Sequence, residues 1–124
     1  MNIGEFLQEA TKDVRTAEHR VETAEQDVRT AEQRVETAKN KFKEAYAESL
    51  KSPNTNASFL DYLRGDIRSW EESLAEKKEI LKEKKEILKK KSNDLEEYKR
   101  LALRREKAVM SASGNYSYQY VLLL

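Results

Sequence analysis

Residues 14–45 read VRTAEHR VETAEQD VRTAEQR VETAKNK FKEA, a seven-residue unit in four full copies and part of a fifth. The first position of each copy holds valine, or phenylalanine in the last, and the fourth position always holds alanine. These residues are Val14, Val21, Val28, Val35 and Phe42, with Ala17, Ala24, Ala31, Ala38 and Ala45. Spacings that alternate between three and four residues place all ten side chains on one helix face, whereas a strand would require a period of two. The segment predicts a long α-helix with the apolar period of a coiled coil.

Valine and alanine make this face narrow and shallow. Ile3, Leu7 and Ala10 continue the same phase upstream, so we expect a helix from about Glu5 to about Leu50. A face of small side chains buries little area per turn, which would make pairing of this helix with itself weak. A partner helix with bulkier side chains could approach it closely.

The turn formers concentrate in residues 51–58, KSPNTNAS, which include the only proline. Pro53 disfavours helix at the residue before it, and Ser58 can cap a new helix. We expect a first helix within residues 1–50, a turn over 51–58 and a second helix over 59–110. Because the connection is short, the two helices should be antiparallel neighbours.

Every seventh residue of the second helix is apolar. These residues are Leu60, Ile67, Leu74, Leu81, Leu88, Leu95 and Ala102, and the positions three residues later hold Leu63, Trp70, Lys77, Lys84, Lys91 and Tyr98. An antiparallel register that pairs Val35 with Trp70 and Ala31 with Leu74 sets small side chains against large ones at nearly every layer. A register shifted by about four residues also fits. The predicted fold is all-α, a long antiparallel two-helix coiled-coil hairpin.

Three lysines of the second helix, Lys77, Lys84 and Lys91, fall at positions that face valines in this register. Lysine can bury its methylene stem and keep its ammonium group in water. Lysine at core positions can also restrict alternative pairings. We favour ordinary burial of the stems.

Two isoleucines, Ile80 and Ile87, lie beside Leu81 and Leu88 and widen the apolar stripe of the second helix. A two-helix hairpin covers only one face of each helix, so these isoleucines are expected to be partly exposed. One hypothesis is a self-association face that produces an antiparallel four-helix dimer. The alternative is that the isoleucines cover the edge of the interface within a monomer.

Catalytic chemistry finds little support in the residue types. The chain has no cysteine and one histidine, His19, at an outward helical position. Its carboxylates form stripes along helices, whereas metal or glycosidase chemistry needs carboxylates that converge in a sheltered cleft. No phosphate-binding loop, nucleophile elbow or zinc spacing is present. We expect a protein that is not an enzyme and uses no cofactor or metal.

The overall charge is balanced, with 24 basic and 23 acidic residues, so it gives no general attraction to nucleic acid. Residues 76–91 are locally basic, with eight lysines and four glutamates, and basic residues recur over 100–107. Residues 9–48 carry more acids than bases and would partly neutralise them. Nucleic-acid binding by the second helix is therefore the alternative and not the favoured function.

The compartment of the protein is predicted from two features that the sequence does not show. The N-terminal residues lack the basic and apolar stretches of a signal peptide, and no apolar run approaches the ~20 residues that span a bilayer. We expect a soluble, intracellular protein.

In residues 111–124, tyrosines alternate with polar residues as in a strand, then apolar residues follow. This tail pairs with another chain, begins a further domain or frays against the bundle, and we favour the last two.

The predicted architecture resembles the helical hairpins of prefoldin-type chaperones, the projecting arm of seryl-tRNA synthetases and many scaffold proteins. The likeness is one of fold alone. The function that we expect is a structural or protein-interaction module, acting as a rigid spacer, scaffold or dimerisation segment, alone or within a larger protein.

Overall fold

The chain forms two long helices that pack against each other. The computed structural model describes residues 2–52 and 57–113, with helix α1 at Ile3–Lys51 and helix α2 at Ala57–Ser113. The described residues contain no strand. The predicted all-α helical hairpin is confirmed. The chain divides into two compact units, of which unit 1 comprises Met1–Arg20 with Lys85–Leu124 and unit 2 comprises Val21–Lys84.

Helix α1 begins two residues before the predicted start near Glu5, and its first turn is capped. The Glu5 backbone N–H donates to Oδ1 of Asn2 at 2.8 Å, and the Asn2 side-chain amide donates to Oε1 of Glu5 at 3.3 Å. This interaction satisfies one of the backbone donors that a helix start leaves open. The helix therefore begins at Ile3.

The remaining helix ends also differ from the sequence-based bounds. Helix α2 begins at Ala57, so Ser58 lies within its first turn, and the prediction that Ser58 caps this helix is wrong. Helix α2 continues to Ser113, beyond the predicted end at residue 110. The predicted strand in the tyrosine-rich tail falls on residues 114–124, which lie outside the described residues.

In unit 2, the buried face of α1 is the predicted set of valines and alanines. The buried residues are Val21, Ala24, Val28, Ala31, Val35 and Ala38. On α2, Leu63 is buried, and Trp70 and Leu74 are half-buried. The interface between the two helices, called the seam below, thus joins small side chains of α1 to larger ones of α2.

Two contacts between a guanidinium group and an aromatic ring fix the register in unit 2. Arg34 lies over the ring of Trp70 at 5.1 Å, and Arg64 lies over the ring of Phe42 at 5.3 Å. The predicted register pairs Trp70 with Val35, the neighbour of Arg34. Each contact is therefore within one residue of that register, and the alternative shifted by about four residues is excluded here.

Unit 1 has the same antiparallel arrangement and register. Val14, Ala17, Leu95 and Ala102 are buried. The rings of Phe6 and Tyr98 meet edge to face, with centroids 4.7 Å apart and an interplanar angle of 67°. The predicted register pairs Tyr98 with the next residue after Phe6, so this contact also agrees with it.

Candidate interaction surface

The three seam lysines are less exposed than the lysines beside them. Lys77 and Lys84 in unit 2 are half-buried, and so is Lys91 in unit 1, whereas Lys78 and Lys90 are exposed. A half-buried lysine can lay its stem along the apolar seam while its ammonium group stays in water. This agrees with the expectation that these lysines are tolerated at seam positions.

The two isoleucines stand at the edge of the seam. Ile80 in unit 2 is 40% exposed, and Ile87 in unit 1 is 42% exposed. Residues three and four apart are neighbours on a helix surface, so Ile80 lies between the stems of Lys77 and Lys84. Ile80 and the two lysine stems together form an apolar strip on the surface of a chain in which 38% of the residues are charged.

One side of unit 2 is marked by the contact between Arg34 and Trp70. Helical periodicity places Asp27, seven residues before Arg34, on this side. Asp27, Thr30 and Arg34 of α1, with Ser69, Ser73 and Ile80 of α2, define what we call the Trp70 flank. These six residues include one acid, one base, short hydroxyl side chains and an exposed isoleucine. The same heptad positions elsewhere in unit 2 hold Lys41, Asp66 and the exposed Phe59.

The opposite side of unit 2 has a different character. It is marked by Arg64 over Phe42, and six of its edge positions hold charged residues. These residues, which define the Arg64 flank, are Glu25, Glu32 and Lys39 of α1 with Arg64, Glu71 and Lys78 of α2. The exposed Tyr46 lies at the same helical position, seven residues after Lys39, so both flanks of unit 2 combine charged residues with an exposed apolar side chain.

Unit 1 carries an apolar patch and a basic groove of its own. Phe6 and Leu101 are 42% and 48% exposed, and the ring of Phe6 contacts Tyr98. The groove has a volume of about 680 Å³ and includes the cations of Lys12, Arg15 and Lys99. Lys99 also lies 3.8 Å from a carboxylate oxygen of Glu96, which partly neutralises the groove.

Within residues 2–52 and 57–113, no three side chains of histidine, cysteine, aspartate or glutamate come together as metal ligands. His19 is exposed. Over the residues that the structure describes, neither α1 nor α2 has an apolar stretch long enough to cross a membrane.

The apolar and lysine pattern of α2 predicts candidate interaction residues at Ile80, Ile87, Lys77, Lys84 and Lys91. It does not include the residues of α1 that lie beside them. The antiparallel register predicts which α1 residues these are. A position directly before a seam valine faces the edge of the partner helix in an antiparallel pair. Asp27 and Arg34 both occupy such positions.

The comparisons with known proteins give no match. No protein-family model, no curated protein sequence and no solved structure is significantly similar to this chain.

Proposed function

We propose that this chain is a non-catalytic coiled-coil module for protein–protein interaction, which serves as a spacer, scaffold or dimerisation segment. The observation that carries the proposal is the exposure of Ile80 beside a seam whose α1 residues in unit 2 are at most 7% exposed from Val21 to Ala38. The seam uses one face of each helix and leaves this apolar strip available to a partner.

A partner that covers this strip gains free energy by burying apolar surface. Burying apolar area contributes roughly 25 cal/mol per Å², and single exposed apolar residues are common on protein surfaces. Ile80 differs from a scattered residue because the stems of Lys77 and Lys84 extend its apolar surface on both sides. A partner that covers Ile80 therefore also covers part of both stems.

Site-specific photo-crosslinking in cells tests this proposal. A photoreactive residue in place of Ile80 should give an adduct of one definite mass, and the same residue at Ile87 should do so as well. The matched controls are the exposed neighbours Glu79 and Glu86, which point away from the seam and should give no such adduct. Equal labelling at Ile80 and Glu79, or no adduct at either isoleucine, would contradict the proposal.

Nucleic-acid binding is the second candidate, and the exposure of lysines on α2 favours it. The exposed lysines of the locally basic stretch are Lys78, Lys82, Lys85, Lys89 and Lys90. Glutamates interrupt these lysines, which weakens the phosphate attraction that such a site would need. A binding assay with RNA and DNA at increasing salt separates the two functions. We expect no binding at physiological salt, whereas salt-sensitive binding lost in a Lys89→Glu/Lys90→Glu variant would favour the nucleic-acid arm.

A further inference from the structure

We infer that the apolar residues within positions 116–124, which lie outside the described residues, cover an exposed apolar face of α2 in unit 1 of the same chain. Leu101, Ala108 and Val109 define this face, called the end face below. It is a different surface from the apolar strip at Ile80, so the inference does not depend on the proposed function. The exposure of the end face supports it, and so do the composition and reach of the segment that follows α2.

The end face lies at and beyond the start of α1. Leu101 and Val109 are 48% and 57% exposed, and Ala108 is exposed as well. Residues seven and eight apart lie on the same side of a helix, so these three side chains share a face. The hairpin register sets Ile3, the first residue of α1, against Ala102. Val109 stands one heptad past that layer, so α1 does not extend far enough to cover it.

Aromatic side chains extend the apolar surface onto α1. The ring of Phe6 is 42% exposed, and its centroid lies 4.7 Å from that of the Tyr98 ring. Tyr98 is three residues before Leu101 and is therefore its neighbour on the helix surface. A segment that covers Leu101 can bury part of Phe6 at the same time. Contiguous exposed apolar surface of this kind marks a contact site more often than a scattered residue does.

The segment that follows α2 matches this face in composition. Residues 116–124 read YSYQYVLLL, with tyrosine at every second position, then four aliphatic residues, and no acidic or basic side chain. Exposing such a segment to water is unfavourable roughly in proportion to its apolar area, and so is exposing the end face. Contact between the two removes both apolar surfaces from water.

The segment is also close enough and long enough to reach the face. Helix α2 ends at Ser113, and Leu101 lies about 18 Å before that end at about 1.5 Å per residue. Residues 114–124 can span up to about 36 Å at roughly 3.3 Å per residue. Gly114 and Asn115 are residue types that readily end a helix and reverse the chain direction. Attachment at Ser113 gives the segment an effective concentration on the order of millimolar near the face.

Charge favours this occupant over the end face of a second copy. Arg105 is exposed and lies in the middle of the face, four residues from both Leu101 and Val109. An antiparallel pairing that joins Leu101 of one copy to Val109 of another sets Arg105 against its own counterpart. A segment without charged side chains brings no such repulsion, and its tyrosine rings can stack on the guanidinium group.

Photo-crosslinking with the purified 124-residue chain tests this inference. A photoreactive residue in place of Leu101 or Val109 should form an adduct with residues 116–124, located by mass spectrometry of the digested chain. The matched controls are Lys99 and Lys107, exposed residues two positions earlier, which point to the far side of α2 and should give no such adduct. A mixture of isotopically labelled and unlabelled chain shows whether each adduct lies within one molecule, as we expect.

Two double substitutions that add equal charge test whether the contact is apolar. Leu122→Asp with Leu123→Asp should abolish the adducts, because two carboxylates would have to leave water to remain on the end face. Ser117→Asp with Gln119→Asp adds the same charge at polar positions and should retain most of the labelling. Circular dichroism of each variant checks that both helices form.

The absence of an adduct between the end face and residues 116–124, or equal labelling from Lys99 and Lys107, would overturn the inference. Adducts that join labelled to unlabelled chain would also overturn it, in favour of contact between copies. Adducts that survive Leu122→Asp with Leu123→Asp would overturn it as well, because the apolar residues would not hold the segment there. The apolar strip at Ile80 is tested separately, so failure here leaves the proposed function standing.

Discussion

Alanine occupies alternate layers of the seam in unit 2, where Ala24, Ala31 and Ala38 are at most 5% exposed. The α2 residues that face them are larger, and Leu74 is only half-buried. The small side chains allow the helices to approach closely, and closely packed interiors tolerate added volume poorly. Stability at these positions therefore depends on size as well as on hydrophobicity.

Replacing Ala38 with leucine should test this dependence. The added methylene groups must force α1 and α2 apart or leave their favoured rotamers, so the free energy of unfolding should fall by about 1–3 kcal/mol. Ala47 is exposed on the same helix, and Ala47→Leu should change it by less than about 0.5 kcal/mol. Urea denaturation measures both. Equal effects of the two substitutions would show that Ala38 does not lie in a tight seam.

The half-buried Lys77 should weaken the seam relative to an apolar residue. Lys77→Leu removes a charge from the seam edge and adds apolar burial, so the free energy of unfolding should rise by roughly 1 kcal/mol. The exposed Lys78 is the matched control, and Lys78→Leu should give no comparable gain. A change in the mass of the Lys77→Leu variant would mean that this lysine restricts pairing, contrary to the simple burial of its stem that we favour.

Spacing alone was enough to predict the buried valines and alanines, because a helix face follows directly from residue numbers. The contacts of Arg34 with Trp70 and of Arg64 with Phe42 could not be predicted in this way. Arg34 and Arg64 stand beside the seam, and the direction of such long side chains depends on rotamers and on the partner helix.

At the scale of the element, the start of α1 shows how a local hydrogen bond helps to set the residue at which a helix begins. Asn2 and Glu5 have the spacing of a capping interaction, a signal that the apolar periodicity from Ile3 onward does not contain. The predicted start near Glu5 left Gly4 outside the helix. In the structure Gly4 lies inside the first turn.

The two described helical glycines should respond differently to alanine. A Cβ atom at Gly65 would meet nothing within 4 Å, so Gly65→Ala should raise the free energy of unfolding by roughly 0.5–1 kcal/mol through helix propensity. A Cβ atom at Gly4 would lie 3.3 Å from Oδ1 of the capping Asn2, so Gly4→Ala should gain less. Thermal unfolding of both variants measures this order. A larger gain at Gly4 than at Gly65 would contradict it.

The start of α2 was harder to predict than its body. Several residues of the sequence from Ser52 to Ser58 are good helix caps, and the choice among them depends on how the turn connects two helices already packed together. The heptad positions from Leu60 onward carry no information about this choice. The body of α2 was predicted because its apolar residues recur every seven positions.

At the scale of the whole molecule, matching side-chain size predicted the register found in each unit. Pairing Ala31 with Leu74 and Val35 with Trp70 was one of two solutions that the sequence allowed, and the Arg34–Trp70 contact selects it in unit 2. The sequence could not predict a function in the same way. The exposure of Ile80 and Ile87 supports the proposed interaction surface, and their side chains alone do not specify a partner.

The central claim is that α2 folds back along α1 within one chain, and a distance between Gln33 and Glu72 tests it most directly. Both residues are exposed in unit 2, stand at the same height in the register and point away from the seam, and the absence of native cysteine allows selective spin labelling. Helix axes about 8–10 Å apart with outward labels predict a separation of about 20–30 Å. Dilution with unlabelled chain should leave this distance unchanged, since it arises within one molecule. A separation of about 58 Å, which a continuous helix would give at about 1.5 Å per residue, would contradict the account.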